Sequence, residues 1–337
     1  MRASAIKKAY LMGGTFLRDD RLFLGAEDSG ESWLAAPDQV PVLDGREAVP
    51  TAIWIEGARD VTVRALAIRN YEDNGIVAFG VDGVKIDGNA IRNIDSKEWF
   101  RGAIRGAGSG DFTNCSITGN LIEDCGYNGI SVHGDEGARI DNLTIARNEV
   151  RSCVKTVADG GAIYVMDRQH ASAGIAIDRN VVALSESVGA RGIYLDDFVS
   201  NVTVTNNIVW GDCEWAIQFH GGDRNVVENN IFDISESGKL GLYQDCPGFP
   251  SFGMGGNIFR NNIVYSSGAF PASLWDFWIS EHEVLPEVSS NRYWPAGTAG
   301  SYAGATGDAS PVFADPRFRN PEEHDYRFIG AVSVRRR

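Results

Sequence analysis

The stretch VTVTNNIVWGDCEWAIQFHGGDRNVVENNIF (202–232) holds two phrases that recur through most of the chain. The first is an alternating apolar run, an Asn, and a second apolar run. It occurs here as VTVTNNIV (202–209) and NVVENNIF (225–232). Outward from this stretch it reads VKIDGNAI (84–91), CSITGNLI (115–122), LTIARNEV (143–150), IAIDRNVV (175–182) and NIFRNNIV (257–264). The marked Asn residues, 89, 120, 148, 180, 207, 230 and 262, stand 23 to 32 residues apart. A variable period with a floor is the mark of a fixed coil carrying inserted loops. The second phrase, WAIQFHG (215–221), recurs as NGIVAFG (74–80), GAIRGAG (102–108), NGISVHG (128–134), GAIYVMD (161–167), RGIYLDD (191–197) and LGLYQDC (240–246). Two short β-type runs per period, joined by Gly, Asn and Asp turns, cannot bury a face alone, but stacked they form parallel sheets around an apolar interior. No period contains ten residues of 3.6 periodicity, which excludes a helical solenoid. The fold class predicted is all-β, a single-stranded right-handed parallel β-helix with inserted loops. The Asn column has its own rationale, since Asn tolerates a left-handed bend and its amide can bond the coils above and below.

The 337 residues are 43% hydrophobic, enough for a sizeable core. A single domain is expected, with incoming strands and an N-terminal cap over 1–50. Coils follow over 51–265, then an aromatic loop and C-terminal coil or cap over 266–337. Forty-five acidic against 31 basic side chains give a net charge of −14, which argues against a nucleic-acid partner. No uncharged apolar stretch approaches 18 residues, so no membrane partner is expected. Cys115, Cys125, Cys153, Cys213 and Cys246 leave at least one thiol free, and with no C-x-x-C pair a structural zinc is not expected. Cys125 and Cys153, each five residues beyond a marked Asn, read as small hydrophobes stacked inside. The opening MRASAIKKAYLMGG (1–14) has no apolar run of seven and does not read as a signal peptide.

The xNNIV phrases resemble the right-handed parallel β-helix repeat proteins of the pectate-lyase-like superfamily. GTFLRDDRLFLGAEDSG…AAPDQVPVLDG (14–45) is similar to their opening strands. NRYW (291–294) with DPRFRNPEEHDYRF (315–328) is similar to their last coil, although the closing GAVSVRRR (330–337) replaces the expected polar cap. The resemblance implies a carbohydrate-active protein, extracellular or periplasmic, with a polysaccharide or oligosaccharide as partner, monomeric or trimeric.

With the Ile of each second phrase as position zero, positions zero and two are apolar in every coil, as an interior requires. Position one then gathers Arg105, Tyr164, Tyr194, Gln218 and Tyr243 on the outer face. Position three gathers His133, Asp196, His220 and Asp245. Lys, Glu and Thr, usual on a solvated sheet, are nearly missing from this stripe, which reads as a ligand groove. Position four adds Asp167 and Asp197. The order VMD, LDD, FHGG is similar to the Asp, Asp-Asp, His layout of polygalacturonase-type glycoside hydrolases, whose R-I-K motif this chain lacks. Glycoside hydrolysis needs two carboxyl groups, one kept protonated by its surroundings. The candidate catalytic residues are therefore Asp196, Asp197, Asp167 and His220. Turn capping is the alternative for Asp167 and Asp197. Arg105, His133, Asp159, Tyr164, Tyr194, Gln218, Tyr243, Asp245 and Trp275 are candidate substrate-binding residues. The segment 266–289 is read either as a loop presenting Trp275 and Trp278 to sugars or as a short amphipathic helix. A uronan lyase or C5-epimerase is the second enzymatic reading, with His133 and Tyr164 as bases and Arg105 or Arg168, or a calcium ion in the acidic groove, as the cation. A non-catalytic glycan-binding solenoid is the third. Hydrolysis requires no cofactor.

Overall fold

The computed structural model describes residues 7–135, 137–246, 253–295 and 307–329. The closing GAVSVRRR and residues 1–6 of the opening stretch lie outside this set. The repeat becomes a parallel β-helix of about ten coils, right-handed as parallel crossovers are. Each coil contributes one strand to each of three long sheets. The first runs from Lys8–Leu11 to Glu287–Ser289, the second from Gly14–Leu17 to Val312–Phe313, and the third from Leu22–Leu24 to Trp275–Trp278. Coils thus begin before residue 51 and continue past 265 among the described residues.

Register explains the interior. In the third sheet Ile53, Ile76, Ile104, Ile130, Ile163, Ile193 and Ile217 stack in one column, all fully buried. Burying such a side chain stabilises by roughly 1.5–3 kcal/mol, and β-branched side chains suit the pleat. The marked Asn residues form a buried ladder on one bend. The Oδ1 of Asn148 accepts from the backbone N–H and Nδ2 of Asn120 at 3.0 and 2.9 Å, and its own Nδ2 donates to Asn180 Oδ1 and Ile117 O. The same pattern links Asn89 to Asn291, where Asp308 closes it. The left-handed bend itself falls one residue earlier than expected, on Gly88, Gly119, Arg147, Arg179, Asn206, Asn229, Asn261 and Ser290. The Asn side chain is therefore free to serve the ladder while its predecessor turns the chain.

All five cysteines are free, and Cys125 and Cys153 are fully buried. The segment 266–289 is neither a surface loop nor a helix. It supplies the strand Trp275–Trp278, which pairs with Gly241–Gln244 as the last rung of the third sheet. Beyond it, Phe318–Asn320 and Asp325–Phe328 form an antiparallel pair that packs Phe318 and Tyr326 on Tyr265.

Candidate active site

The outer face of the third sheet carries the candidate residues, and one backbone irregularity shapes it. A Cβ on Gly192 would stand 2.4 Å from Val209 Cγ1, so Gly192 and Ile193 both turn inward. Strict alternation is broken there and Arg191 is swung to the outside, paired in register with Trp215. Beyond this point alternation resumes. Arg105, Ser131, Tyr164, Tyr194 and Gln218 form one outward column, and His133, Met166 and Asp196 a second.

Asp196 is the centre. Its Oδ1 receives His220 Nδ1 at 2.6 Å and the Asp197 backbone N–H at 2.9 Å, while Oδ2 accepts from the Tyr164 hydroxyl at 2.6 Å. Burial alone would raise the Asp196 carboxyl. The His220 hydrogen bond and charge, then Tyr164 and the Asp197 N–H, hold it below the ordinary value instead. His220 is the mirror case. Burial would lower it, but the bonds to Asp196 and the Cys246 thiol lift it to about 10, so the ring is an imidazolium at neutral pH. Asp197 lies 3.4 Å from the same Nδ1 and receives Arg168 Nε at 2.7 Å. Burial and then the Asp196 charge raise its carboxyl above the usual range, against the pull of Arg168 and His220. Asp197 (φ 30°) and Phe198 (φ 70°) both sit in left-handed backbone without being glycine, a strain of the kind that persists where surroundings over-determine it. Two adjacent carboxyl groups are thus pushed in opposite directions, and both remain partly accessible.

Around this centre several candidates support the pair and do not reach outward. Tyr164, Tyr194, Gln218 and His133 are nearly or fully buried. The Tyr164 and Tyr194 rings pack edge to face at 5.2 Å, with Phe100 6.5 Å from Tyr164 and 5.0 Å from His133. Tyr194 points its hydroxyl at Asp159, 3.5 Å away. Asp159 is on the exposed rim and pairs with Arg191 at 3.2 Å. Arg191 also donates to Gln218 Oε1 at 2.6 Å and lies over the rings of Tyr194 and Trp215. His133 accepts from Arg105 Nε at 3.1 Å; burial first, then Arg105 and Arg168, push it down to about 3, so it is neutral.

Four predicted residues leave the site. Asp167 has no exposed surface, and its carboxylate is taken by the N–H groups of Gln169, Ala171 and Ser172 and by the Ser172 hydroxyl. It closes its own loop, which is the turn-capping alternative. Tyr243 is inside the solenoid, its hydroxyl donating to Met254 O and Val284 O. The register pairs Ile217 with Gly241 and Phe219 with Tyr243, one residue away from the alignment through Leu242. A one-residue slip exchanges faces, so Gln244, which accepts from Gln218 Nε2 at 3.1 Å, takes the outward place. Asp245 caps the next coil by accepting from Ser280 N at 2.7 Å. Trp275 is a core residue against Phe219, Phe259 and Phe277. The aromatic that does face out from that strand is Trp278, 52% exposed and braced edge to face by Trp215 at 5.6 Å.

Sequence reasoning missed Arg191, Phe100 and Gln244. The first followed from a break in side-chain alternation that periodicity does not announce; the others sit on a loop and on a slipped register. Donor atoms of Asp197, His220 and Cys246 lie within 4.8 Å of one another. Here Asp197 is held by Arg168, and His220 carries its protons toward Asp196, so these groups already neutralise each other.

A sequence profile described as right handed beta helix region matches residues 51–232. No curated protein matches significantly by sequence. Among solved structures, the GH136 lacto-N-biosidase from Eubacterium ramulus is similar over 92% of this chain and 63% of its own, at 13% identity and a TM-score of 0.50. DFA-IIIase from Arthrobacter chlorophenolicus A6, solved in complex with GF2, is similar over 92% of this chain and 89% of its own, at 13% identity and 0.51. A tailspike protein of E. coli bacteriophage HK620, in complex with a pentasaccharide, is similar over 80% and 52%, at 13% and 0.52. The chain spans less than two thirds of the lacto-N-biosidase and of the tailspike, and at such identities the likeness is one of fold.

Proposed function

The chain belongs to the right-handed β-helix family, and within it we propose a glycoside hydrolase that cleaves an oligosaccharide or polysaccharide lying in the third-sheet groove. The observation that carries this reading is the Asp196–Asp197 pair, whose surroundings drive one carboxyl down and its neighbour up. Divergent carboxyl groups are what acid and base assignments require. Asp197, whose carboxyl is raised by burial and by the Asp196 charge and which is partly accessible, donates the proton to the leaving glycosidic oxygen. Asp196, ionised and fixed by Tyr164 and His220, presents negative charge to the oxocarbenium-like carbon, to which water adds, its proton going back to the Asp197 carboxylate. His220 keeps Asp196 ionised and oriented. Three structural neighbours are named for glycans or solved with them, which agrees with a sugar substrate. The lyase and epimerase reading loses ground because His133, its base, is buried and pushed to about 3, and its Nε2 is occupied by Arg105.

The test is a polysaccharide panel assayed in parallel for new reducing ends and for unsaturated-uronate absorbance, with Asp196→Asn as control. Reducing ends without absorbance, abolished by the substitution, are expected. New ultraviolet absorbance, or cleavage that survives in Asp196→Asn, defeats the assignment.

A further inference from the structure

Three rungs toward the N-terminus from the Asp196 strand, the groove contains a cation that the protein leaves unanswered. Arg105 stands on the strand Gly102–Gly108, half-buried, with its guanidinium 4.9 Å from the centre of the Phe79 ring. Its Nε donates to neutral His133, and among the described residues neither Nη group has a hydrogen bond and no carboxylate forms an ion pair with it. The nearest acids that act on it through space are Asp135 and Asp73. Asp135 is committed elsewhere, 3.5 Å from Arg168 and 3.4 Å from His133. A second cation crowds the first. Arg101 lies close enough to disfavour charge on Arg105; its Nε is buried without a partner among the described residues, and it forms an ion pair with exposed Glu98 at 2.9 Å. One further buried polar atom faces the same corner unpartnered: Ser131 Oγ, in register beside Arg105.

A partly desolvated charge without a counter-ion costs stability, and a like charge beside it adds to the cost. In a chain of net charge −14 there is no shortage of carboxylates that could have filled the place. We propose that Arg105, with Arg101 beside it, is the receptor for an anionic substituent on the glycan, a uronate carboxylate or a sulfate ester. A planar guanidinium with both Nη groups free suits either oxyanion. The register places it roughly 14 Å from Asp196, three parallel rungs of about 4.8 Å. The substrate is then a glycan of which the bond cleaved and the acidic group are about three sugar units apart. This inference rests on the groove being a glycan site, though not on the hydrolytic chemistry at Asp196.

The experiment is titration calorimetry of the full chain with hexasaccharides of galacturonate, mannuronate and a 4-sulfated galactan free of uronate, beside neutral cellohexaose and xylohexaose. At least one acidic member binds more tightly than the neutral ones. Arg105→Gln weakens that member about 10- to 100-fold, the range of a hydrogen-bonded charge, while Arg105→Lys recovers part of the loss. Whether the carboxylate or the sulfate members lead identifies the oxyanion. Equal binding of neutral members, no binding of any member, or Arg105→Gln binding as wild type overturns the proposal. So does an Arg105→Gln variant with a depressed melting temperature that loses neutral and acidic members alike, because that marks a structural arginine. Acidic glycans bound through Arg105 but never cleaved would leave this site standing and remove the hydrolase reading. Neutral glycans cleaved equally by wild type and Arg105→Gln would do the reverse.

Discussion

At the scale of single residues, the site is governed by one imidazole meeting two carboxyl groups. If Asp197 is the proton donor, activity needs it protonated, so the rate falls as pH rises through its raised value. Asp197→Asn should cut hydrolysis by about 10²–10⁴-fold and erase that alkaline limb, whereas an Asp197 that only caps its turn would leave the limb in place. The pair also imposes a pH window on stability. His220 is raised to about 10, so its contribution is complete below the unfolded value of about 6.5 and is lost as pH climbs toward 10. Asp196 is lowered, so its contribution is present above the unfolded value of about 3.9 and is lost as pH falls through the folded one. Unfolding midpoints measured across pH should therefore show the pair at full strength between about 4 and 6.5. His220→Gln should flatten the alkaline decline, and an unchanged slope in that variant would show that the imidazolium is not held by Asp196.

At the scale of elements, the Asn ladder and the third sheet behave differently, and the difference explains what could be read in advance. The ladder repeats one residue type at one place in every coil, so seven of its members stand out in the sequence; Asn291 closes the series only because the coils run past 265. Asn148→Ala would leave the Asn120 N–H without its acceptor, take one of two bonds from the Asn120 amide and from Asn180 Oδ1, and remove the side-chain donor from the Ile117 carbonyl, all buried. A loss of about 3–5 kcal/mol in denaturant unfolding is expected. Ser289→Ala, which removes an exposed bond to Glu287, should stay within about 0.5 kcal/mol. Similar losses in the two variants would mean that the buried ladder is not what locks the bend. The third sheet was legible as far as the Ile column lasts. At Gly241 it stops, because the Trp275 ring from the next coil fills the space, and a Cβ there would lie 2.3 Å from it. Leu242 resembles the missing Ile, and that resemblance carried Tyr243 and Asp245 to the wrong face. Asp167 shows the other limit. Its place after a groove strand is visible in VMD, but the four donors that hold it belong to a loop whose path no periodicity encodes.

At the scale of the whole molecule, the outer face of the third sheet runs along the solenoid axis, and under the proposed function its length sets the length of the glycan it takes. From the Arg105 strand to the strand of Trp278 there are six rung intervals, through Ser131, Tyr164, Tyr194, Gln218 and Leu242 to Asp276. That is roughly 29 Å at about 4.8 Å per rung, and a sugar in an extended chain advances by close to one rung. The two ends differ in chemistry. Arg105 offers charge, and Trp278 offers an exposed ring whose orientation is fixed by Trp215, itself tied to Asp276 by a 2.9 Å hydrogen bond. A ring held in place loses little entropy when a sugar stacks on it. Catalytic efficiency, kcat/KM, should therefore rise with oligosaccharide length and level off at about six units, the span of the groove. Trp278→Ala should lower efficiency on hexamers about tenfold, a stacking contact of about 1–1.5 kcal/mol, and leave the shortest cleavable oligomer unaffected. Because remote binding energy can be spent on distortion at the reacting carbon, the loss should appear in kcat as well as KM. A plateau at two or three units, or equal loss on short and long substrates, would place the working groove around Asp196 alone and leave Trp278 outside it.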